Sequence, residues 1–288
     1  MSRIAYVNGR YVPQHLAVVN VEDRGYQFAD GVYEVICVAG GRLIDEERHF
    51  DRLQRSLAEL RIPAPCGRGA LRLIARRLLR RNNLRDGIVY LQVSRGEAPR
   101  SHAFPDSSRP ALVMTASRRP LPPGARLLER GVGVVTISDN RWKRVDIKSI
   151  SLLPNILGKQ IAVEQGAYEA WFVDDQGIVT EGTSTNAWIV TGAGEIVTHP
   201  LDHAVLAGIT RRAVIETAEE GGFTVDERPF SVSEAGAAGE AFLTSTTSFV
   251  LPVTTIDGAK VGDGRPGPVT RTLIAGYGRH LRRLGGDG

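Results

Sequence analysis

The sequence predicts a mixed α/β (α+β) fold, and three observations carry that expectation. Stretches with the two-residue alternation of strands are interleaved with stretches of helical period along nearly the whole chain. A hydrophobic share of 42% against 24% charged residues is enough to bury a core. At 288 residues there is room for two domains or for one large α/β domain. The clearest linker composition is Arg118-Arg119-Pro120-Leu121-Pro122-Pro123-Gly124-Ala125.

Taken in order, residues 4–7 and 10–12 flank Asn8-Gly9, a pair that tolerates the positive φ angles of a two-residue hairpin turn. A second hairpin is predicted from 32–38 and 42–44 around Gly40-Gly41. Phe50, Leu53, Leu57 and Leu60 fall at helical spacing within 46–60. The next helix puts Leu71, Ile74, Ala75 and Leu78 on one face and most of its arginines opposite. Strands are expected near 88–94 and 111–116 and, past the linker, near 132–137 and 145–150. In the last of these Val145 and Ile147 share one face and Lys148 points the other way. A helix over 153–166, a hairpin over 169–173 and 178–180, and strands near 187–190 and 195–197 follow. A helix over 208–220 ends at Gly221-Gly222, residues free to adopt the left-handed conformation of a helix C-terminus. Strands near 224–228, 240–244 and 249–254 and a helix over 268–284 complete the reading, with 285–288 expected to fray.

The net charge is +4, and much of the basic charge sits on the arginine-rich helix around 71–81. No aromatic residues interleave with those arginines to stack on bases, so a solvated helix face is expected rather than a nucleic-acid surface. No stretch approaches the roughly 18 apolar residues of a membrane span. Residues Met1-Ser2-Arg3-Ile4-Ala5-Tyr6 show no basic segment leading into an apolar run, and a cytoplasmic protein is expected. Cys37 and Cys66 have neither disulfide-framework nor CxxC spacing. His199 and His203 are interrupted by Pro200 and lack an HExxH glutamate, so no metal is expected. Gly192-Ala193-Gly194, Gly158-Lys159 and Gly182-Thr183-Ser184-Thr185-Asn186 each fall short of a dinucleotide fingerprint, a P-loop and a nucleophile elbow respectively.

Only four of the 36 basic residues are lysine: Lys143, Lys148, Lys159 and Lys260. Arginine cannot act as a primary amine that loses its proton, and Schiff-base formation is the main task that needs one. Lys143 lies in a charged run, Lys159 on a predicted helix and Lys260 beside the Asp257-Gly258 turn. Lys148, taken alone, reads as an exposed strand lysine. Thr180-Glu181-Gly182-Thr183-Ser184-Thr185-Asn186, taken alone, reads as a polar turn. Gly208-Ile209-Thr210 opens a helix, where free N–H groups and a hydroxyl suit an anion. Thr244-Ser245-Thr246-Thr247-Ser248 is a dense hydroxyl cluster at a strand end, and Arg52 offers a counter-charge from the polar side of the first long helix.

Together these segments carry a resemblance. Asp23-Arg24-Gly25-Tyr26-Gln27-Phe28-Ala29-Asp30-Gly31-Val32-Tyr33-Glu34, His49-Phe50-Asp51-Arg52-Leu53, Asp146-Ile147-Lys148-Ser149, Thr180-Glu181-Gly182 and Gly208-Ile209-Thr210-Arg211 resemble the class IV (fold-type IV) pyridoxal-phosphate enzymes. Within that class they are most similar to the D-amino acid aminotransferases, in order over nearly the whole chain. The resemblance implies Lys148 as the Schiff-base lysine for pyridoxal 5'-phosphate. It implies Glu181 as partner of the pyridine nitrogen, whose protonation makes the ring an electron sink. It further implies phosphate contacts from Arg52, Ile209, Thr210, Ser245 and Thr246, with Leu206 packed on the ring. The implied architecture is a small α/β domain over 1–117, a linker over 118–130 and a larger domain over 131–288 carrying the lysine. Members of the family are homodimers with active sites at the interface.

Gly96-Glu97-Ala98-Pro99-Arg100-Ser101-His102 resembles the Arg-x-His of the D-amino acid aminotransferases. There the arginine, the histidine and the tyrosine matching Tyr33 hold the substrate α-carboxylate, the first two from the other subunit. A forked guanidinium, an imidazole and a phenol suit that anion. Ser149-Ile150-Ser151-Leu152-Leu153-Pro154-Asn155 departs from the SLN that commonly follows the lysine, which alters the pocket wall and leaves the lysine in place. The implied activity is ping-pong transamination between a D-amino acid, such as D-alanine or D-glutamate, and a 2-oxo acid such as 2-oxoglutarate. Branched-chain L-amino acid aminotransferases, (R)-amine transaminases and aminodeoxychorismate lyases share the equivalents of Lys148 and Glu181 and differ at the carboxylate trap.

Overall fold

The computed structural model describes residues 3–121 and 124–286. The chain divides into two compact units, one of Met1–Leu121, Ile147–Ser151 and Arg282–Gly288, the other of Pro122–Asp146 and Leu152–Leu281. The segment holding Lys148 therefore clusters with the first unit, whereas the sequence reading attached it to the region after residue 131. Pro122 and Pro123 of the expected linker, and the last two residues of the expected tail, lie outside the described residues.

In the first unit β1 (Ile4–Val7) and β2 (Arg10–Pro13) form the expected hairpin, with Asn8 and Gly9 at φ 45° and 96°. They are followed by α1 (Arg24–Phe28), β3 (Gly31–Ala39), β4 (Arg42–Leu43), α2 (Glu46–Glu59), α3 (Arg68–Arg81), β5 (Gly87–Ser94) and β6 (Ala111–Arg118). The six strands make one antiparallel sheet in the order β2-β1-β6-β5-β3-β4. Val32, Ile36 and Val38 alternate into the core with Val89, Leu91, Val93 and Met114, and meet Phe50, Leu53 and Leu57 of α2 and Leu71, Ala75 and Leu78 of α3. Each fully buried Leu or Ile contributes about 1.5–3 kcal/mol of apolar burial. Glu34 occupies an inward position of the same alternation and is fully buried, so it needs a partner inside the core.

The expected strand over 145–150 is not formed. Only one isolated bridge is present, Val32 with Ser149. Its cause is the geometry of β3: β5 pairs along one edge for its whole length, while β4 covers only Val38 and Ala39 on the other. The open start of that edge accepts a short stretch of chain, fixed by Tyr33 N–H to the Lys148 carbonyl at 3.0 Å and Ile150 N–H to the Gly31 carbonyl at 3.0 Å. Ile147 is buried in the first core, and Lys148 is half-buried.

The second unit begins with α4 (Ala125–Arg130), β7 (Val132–Ser138), α5 (Leu153–Glu164), β8 (Glu169–Val173), β9 (Val179–Gly182), β10 (Asn186–Val190) and β11 (Ile196–Thr198). It continues with α6 (Ile209–Glu220), β12 (Val225–Glu227), α7 (Val232–Ala237), β13 (Glu240–Ser245), β14 (Phe249–Ile256), β15 (Ala259–Lys260) and α8 (Pro268–Gly285). Eight strands run in the order β12-β11-β10-β13-β14-β7-β8-β9, with β15 attached to β14, and the β14-β7-β8 stretch is parallel. β10 is buried at every position and β13 at all but its last, which is why both read as continuous apolar runs rather than alternations. Trp171, Val179, Ile189, Phe230, Leu243 and Leu251 form the centre of this core. The short helices α1, α4 and α7 have no counterpart in the sequence reading, because five or six residues are too few to show a period. Among the described residues no helix is long and apolar enough to cross a membrane.

Candidate functional site

Within the first unit the fold builds a tight neighbourhood around Lys148. Its backbone is held on two sides, by the Tyr33 contact already described and by its own N–H donating to Ser56 Oγ of α2 at 3.2 Å. Its Nζ lies 4.2 Å from the centroid of the Tyr33 ring. Tyr33 and Lys148, two of the residues named from sequence, are thus brought together. The Tyr33 ring packs in turn on Tyr90 at 5.7 Å, and burial pushes the Tyr90 hydroxyl up to about 12.

Arg52 is also near this strand, but not as a solvent-facing counter-charge. It is buried, with Nε donating to Glu34 Oε1 and Nη2 to Glu34 Oε2, both at 2.8 Å. The sequence placed it on the polar side of α2. The correction follows from Glu34, whose place in the core alternation pulls the matching guanidinium inward. His49, one helical turn earlier on α2, completes the cluster with Nδ1 2.7 Å from Glu34 Oε2. Burial drives the Glu34 carboxyl upward, and Arg52 and His49 overcome that to bring it down to about 2. Burial likewise pushes the His49 pKa down, more than Glu34 raises it, so the ring is neutral and donates its Nδ1–H.

Arg100 and His102 are exposed on the loop after β5, and both converge on one ring. The Arg100 guanidinium carbon is 4.6 Å from the Phe28 centroid, and the His102 ring is 5.5 Å away at 55°. Among the described residues neither shares a hydrogen bond or ring contact with Tyr33 or Lys148.

The second unit holds the remaining named residues. Glu181, at the end of β9, is buried and saturated with donors: Arg141 Nη1 at 2.5 Å on Oε1, Asn186 Nδ2 at 3.1 Å and the Leu206 N–H at 3.0 Å on Oε2. Leu206 therefore touches the carboxylate through its backbone. Arg141 is itself gripped by Asp139 on Nε and Nη2 at 2.9 and 2.7 Å, by Thr180 Oγ1 and by the Ala204 carbonyl. Burial works against the Arg141 charge, but Asp139 and Glu181 raise its pKa on balance, and the Asp139 carboxyl is lowered against burial by Arg141 and Thr180.

Ile209 and Thr210 open α6 and are both buried. The helix starts at Gly208 with no side-chain cap, leaving its first N–H groups for another acceptor. A glycine is required there, since a Cβ would clash with Asn186 Oδ1. Ser245 Oγ accepts the N–H groups of Ser248 and Thr247 at 3.0 and 3.3 Å, and Thr246 lies half-buried beside it. Arg141 and Asn186 were not singled out from sequence: Arg141 is one of many arginines, and Asn186 sat inside a segment read as a polar turn. The Asp139-x-Arg141 spacing at the end of β7 is the one local signal. His199 and His203 gather no third ligand, and no metal-binding group of side chains exists among the described residues.

The first unit carries a half-buried primary amine against an aromatic ring, and the second carries a buried carboxylate, an uncapped helix N-terminus with a buried threonine and a hydroxyl-rich turn; each is a kind of group that pyridoxal phosphate uses. Comparison with known proteins gives the same class. Residues 31–256 match the family model described as amino-transferase class IV, and the chain belongs to that family. The D-alanine aminotransferase of Bacillus licheniformis is 42% identical over 266 residues, covering 92% of this chain and 93% of the relative. That of Listeria innocua serovar 6a is 41% identical over 268 residues, 93% and 92% of the two chains. Among solved structures, the branched-chain amino acid aminotransferase of Escherichia coli superposes with a TM-score of 0.90 at 26% identity, covering 97% of this chain and 94% of the other. The branched-chain amino acid aminotransferase of Thermoproteus uzoniensis with norvaline gives 0.87 at 25%, with 99% and 96% covered. A further branched-chain enzyme, solved with pyridoxamine 5'-phosphate, gives 0.89 at 25%, with 99% and 95% covered.

Proposed function

We propose that this class IV aminotransferase transfers the amino group of a D-amino acid, such as D-alanine, to a 2-oxo acid such as 2-oxoglutarate. The observation that carries the choice is the Arg100–His102 pair, a guanidinium and an imidazole gathered on one ring and suited to an α-carboxylate. The relatives at 41–42% identity are named for D-alanine, whereas the neighbours named for branched-chain substrates stand at 25–26%. When bound, pyridoxal phosphate supplies the electron sink that stabilises negative charge at the substrate α-carbon.

This chain's residues do the rest. Lys148 would hold the cofactor through its Nζ, and its amine, when free, would accept the proton from the substrate α-carbon. Glu181, whose carboxylate accepts from Arg141, Asn186 and the Leu206 N–H, would be the partner of the pyridine nitrogen. Thr210, the Ile209 N–H, Ser245, Thr246 and Arg52 would be the phosphate-side donors, and Leu206 would pack against the ring. Tyr33, Arg100 and His102 orient the carboxylate, so that the bond to be broken is aligned before the proton moves.

We propose a homodimer as the working form. The exposed side of α5 presents Leu153, Ile156, Leu157 and Ile161, an apolar stripe that a lone soluble domain rarely leaves open. Steady-state rates with D- and L-alanine and 2-oxoglutarate test the activity. Preference for D-alanine by at least tenfold in kcat/KM is expected, and a preference for the L-enantiomer refutes the assignment. Borohydride treatment followed by peptide mapping is expected to fix the cofactor mass on Lys148. Light scattering during gel filtration is expected to give twice the chain mass of 31.3 kDa.

A further inference from the structure

We propose that Phe28 and Arg24 are positioning residues for the carboxylate-binding pair, holding Arg100 and His102 in one orientation before substrate arrives. This rests on the reading above of Arg100 and His102.

Arg24 is 3% exposed, a degree of burial that an arginine reaches only when its donors are matched. Its Nε donates to Asp30 Oδ2 at 2.8 Å and its Nη1 to the Ser101 carbonyl at 2.6 Å, with Nη2 at 3.5 Å from the His102 carbonyl. Its backbone N–H donates to the Gly96 carbonyl at 2.9 Å. One residue therefore ties both ends of the 96–102 loop. Arg95 forks onto the same carboxylate, Nε to Oδ2 at 2.7 Å and Nη2 to Oδ1 at 3.0 Å, and also donates to the Arg61 and Leu60 carbonyls. Asp30 joins the two guanidinium groups. They hold its carboxyl below the usual range although burial opposes them.

Above this frame sits the Phe28 ring at the end of α1. Arg24 lies 4.9 Å from its centroid, Arg100 4.6 Å, and the His102 ring 5.5 Å. A cation prefers an aromatic face, so the ring biases an otherwise exposed arginine toward one orientation and holds the imidazole beside it. No secondary structure constrains residues 97–110 beyond isolated bridging at Glu97, so these contacts define where the two side chains stand. A trap oriented in advance does not have to lose that freedom when substrate binds.

The test compares Phe28→Leu, Phe28→Tyr, Arg24→Lys and Arg100→Ala, together with Phe28→Leu in an Arg100→Ala/His102→Ala background. The readouts are KM and kcat for D-alanine, with cofactor content read from the visible spectrum. Loss of the aromatic face in Phe28→Leu is expected to raise KM about five- to tenfold with kcat nearly kept, the size of an exposed cation–π contact plus the imidazole packing. Phe28→Tyr retains the face and stays within about twofold of the parent, and Arg24→Lys, which cannot fork between Asp30 and the loop carbonyls, raises KM as well. Phe28→Leu adds no further rise when Arg100 and His102 are already gone. A KM unchanged in both Phe28→Leu and Arg24→Lys, or a full Phe28→Leu effect persisting in that background, overturns the inference. An unchanged KM in Arg100→Ala instead overturns the reading beneath it. Should Phe28→Leu not fold, Phe28→Tyr and Arg24→Lys decide by the same criteria.

Discussion

Replacing Glu34 by glutamine isolates the buried cluster that fixes α2 to β3. The carboxylate is wholly inaccessible, and it receives two arms of the Arg52 guanidinium at 2.8 Å and His49 Nδ1 at 2.7 Å. Burial alone would raise its pKa, but Arg52 first and His49 second bring it from 4.5 to about 2. A carboxyl depressed on folding contributes stability above its unfolded pKa, and that contribution is lost as the pH falls toward the folded value. At about 1.4 kcal/mol per unit, the shift corresponds to roughly 3 kcal/mol at neutral pH. Breaking a buried ion pair from one side costs about 3–5 kcal/mol, a range that meets the first figure at its lower end. Denaturant unfolding of parent and Glu34→Gln is the assay. The variant is expected to be less stable by about 3 kcal/mol at pH 7, with the gap narrowing by about 1.4 kcal/mol per pH unit below about 4.5. A loss below about 1 kcal/mol at pH 7, or a gap that does not change between pH 7 and pH 3, refutes the reasoning.

Lys148→Ala is expected to lower transamination by at least about a thousandfold, since it removes both the cofactor's anchor and the proton carrier; single-turnover rates check it. Glu181→Gln removes the carboxylate proposed to partner the pyridine nitrogen and leaves buried Arg141 facing a neutral amide. A fall in kcat of about a hundredfold with an altered spectral pH titration is expected, measured on cofactor-saturated protein. Gly208→Ala drives a methyl group into Asn186, and weaker cofactor binding with about 1–3 kcal/mol less stability is expected from fluorescence titration and unfolding. If each carboxylate trap serves the partner's lysine, mixing Lys148→Ala with Arg100→Ala chains restores up to one working site per mixed dimer; no recovery after subunit exchange counts against composite sites.

Most strands and long helices were legible because their signals are local. Asn8-Gly9 dictates its hairpin, and the Leu71, Ala75, Leu78 spacing dictates the buried face of α3. The strand expected over 145–150 was not legible, because whether an extended segment becomes a strand depends on which edge is free to pair. For β3 that edge is settled by the shortness of β4 (Arg42–Leu43), about a hundred residues before the 145–150 segment. Burial of Arg52 was hidden for a similar reason. Its helical position alone faces solvent as readily as core, and it is Glu34, on another element, that draws it inward. Arg141 and Asn186 were invisible because their task is to hold Glu181, and no spacing in the chain records that relation.

The arginine bias of the chain has a structural use in both units. Asp30 is held by Arg24 and Arg95, Glu34 by Arg52, and Asp139 with Glu181 by Arg141. A planar fork binds a carboxylate in one orientation, which a single ammonium does not, so each pairing fixes a backbone segment that carries or supports a site residue. Arg24 and Arg95 fix the loop of Arg100 and His102, Arg52 fixes the strand of Tyr33, and Arg141 fixes Glu181 directly. Lys148 takes no part in these ion pairs. Among the described residues its Nζ has an aromatic ring as neighbour and no carboxylate, so the amine is not locked into an ion pair. Arginine supplies the framework, and under the proposed function the scarce lysine at position 148 stands where a guanidinium could not do the chemistry.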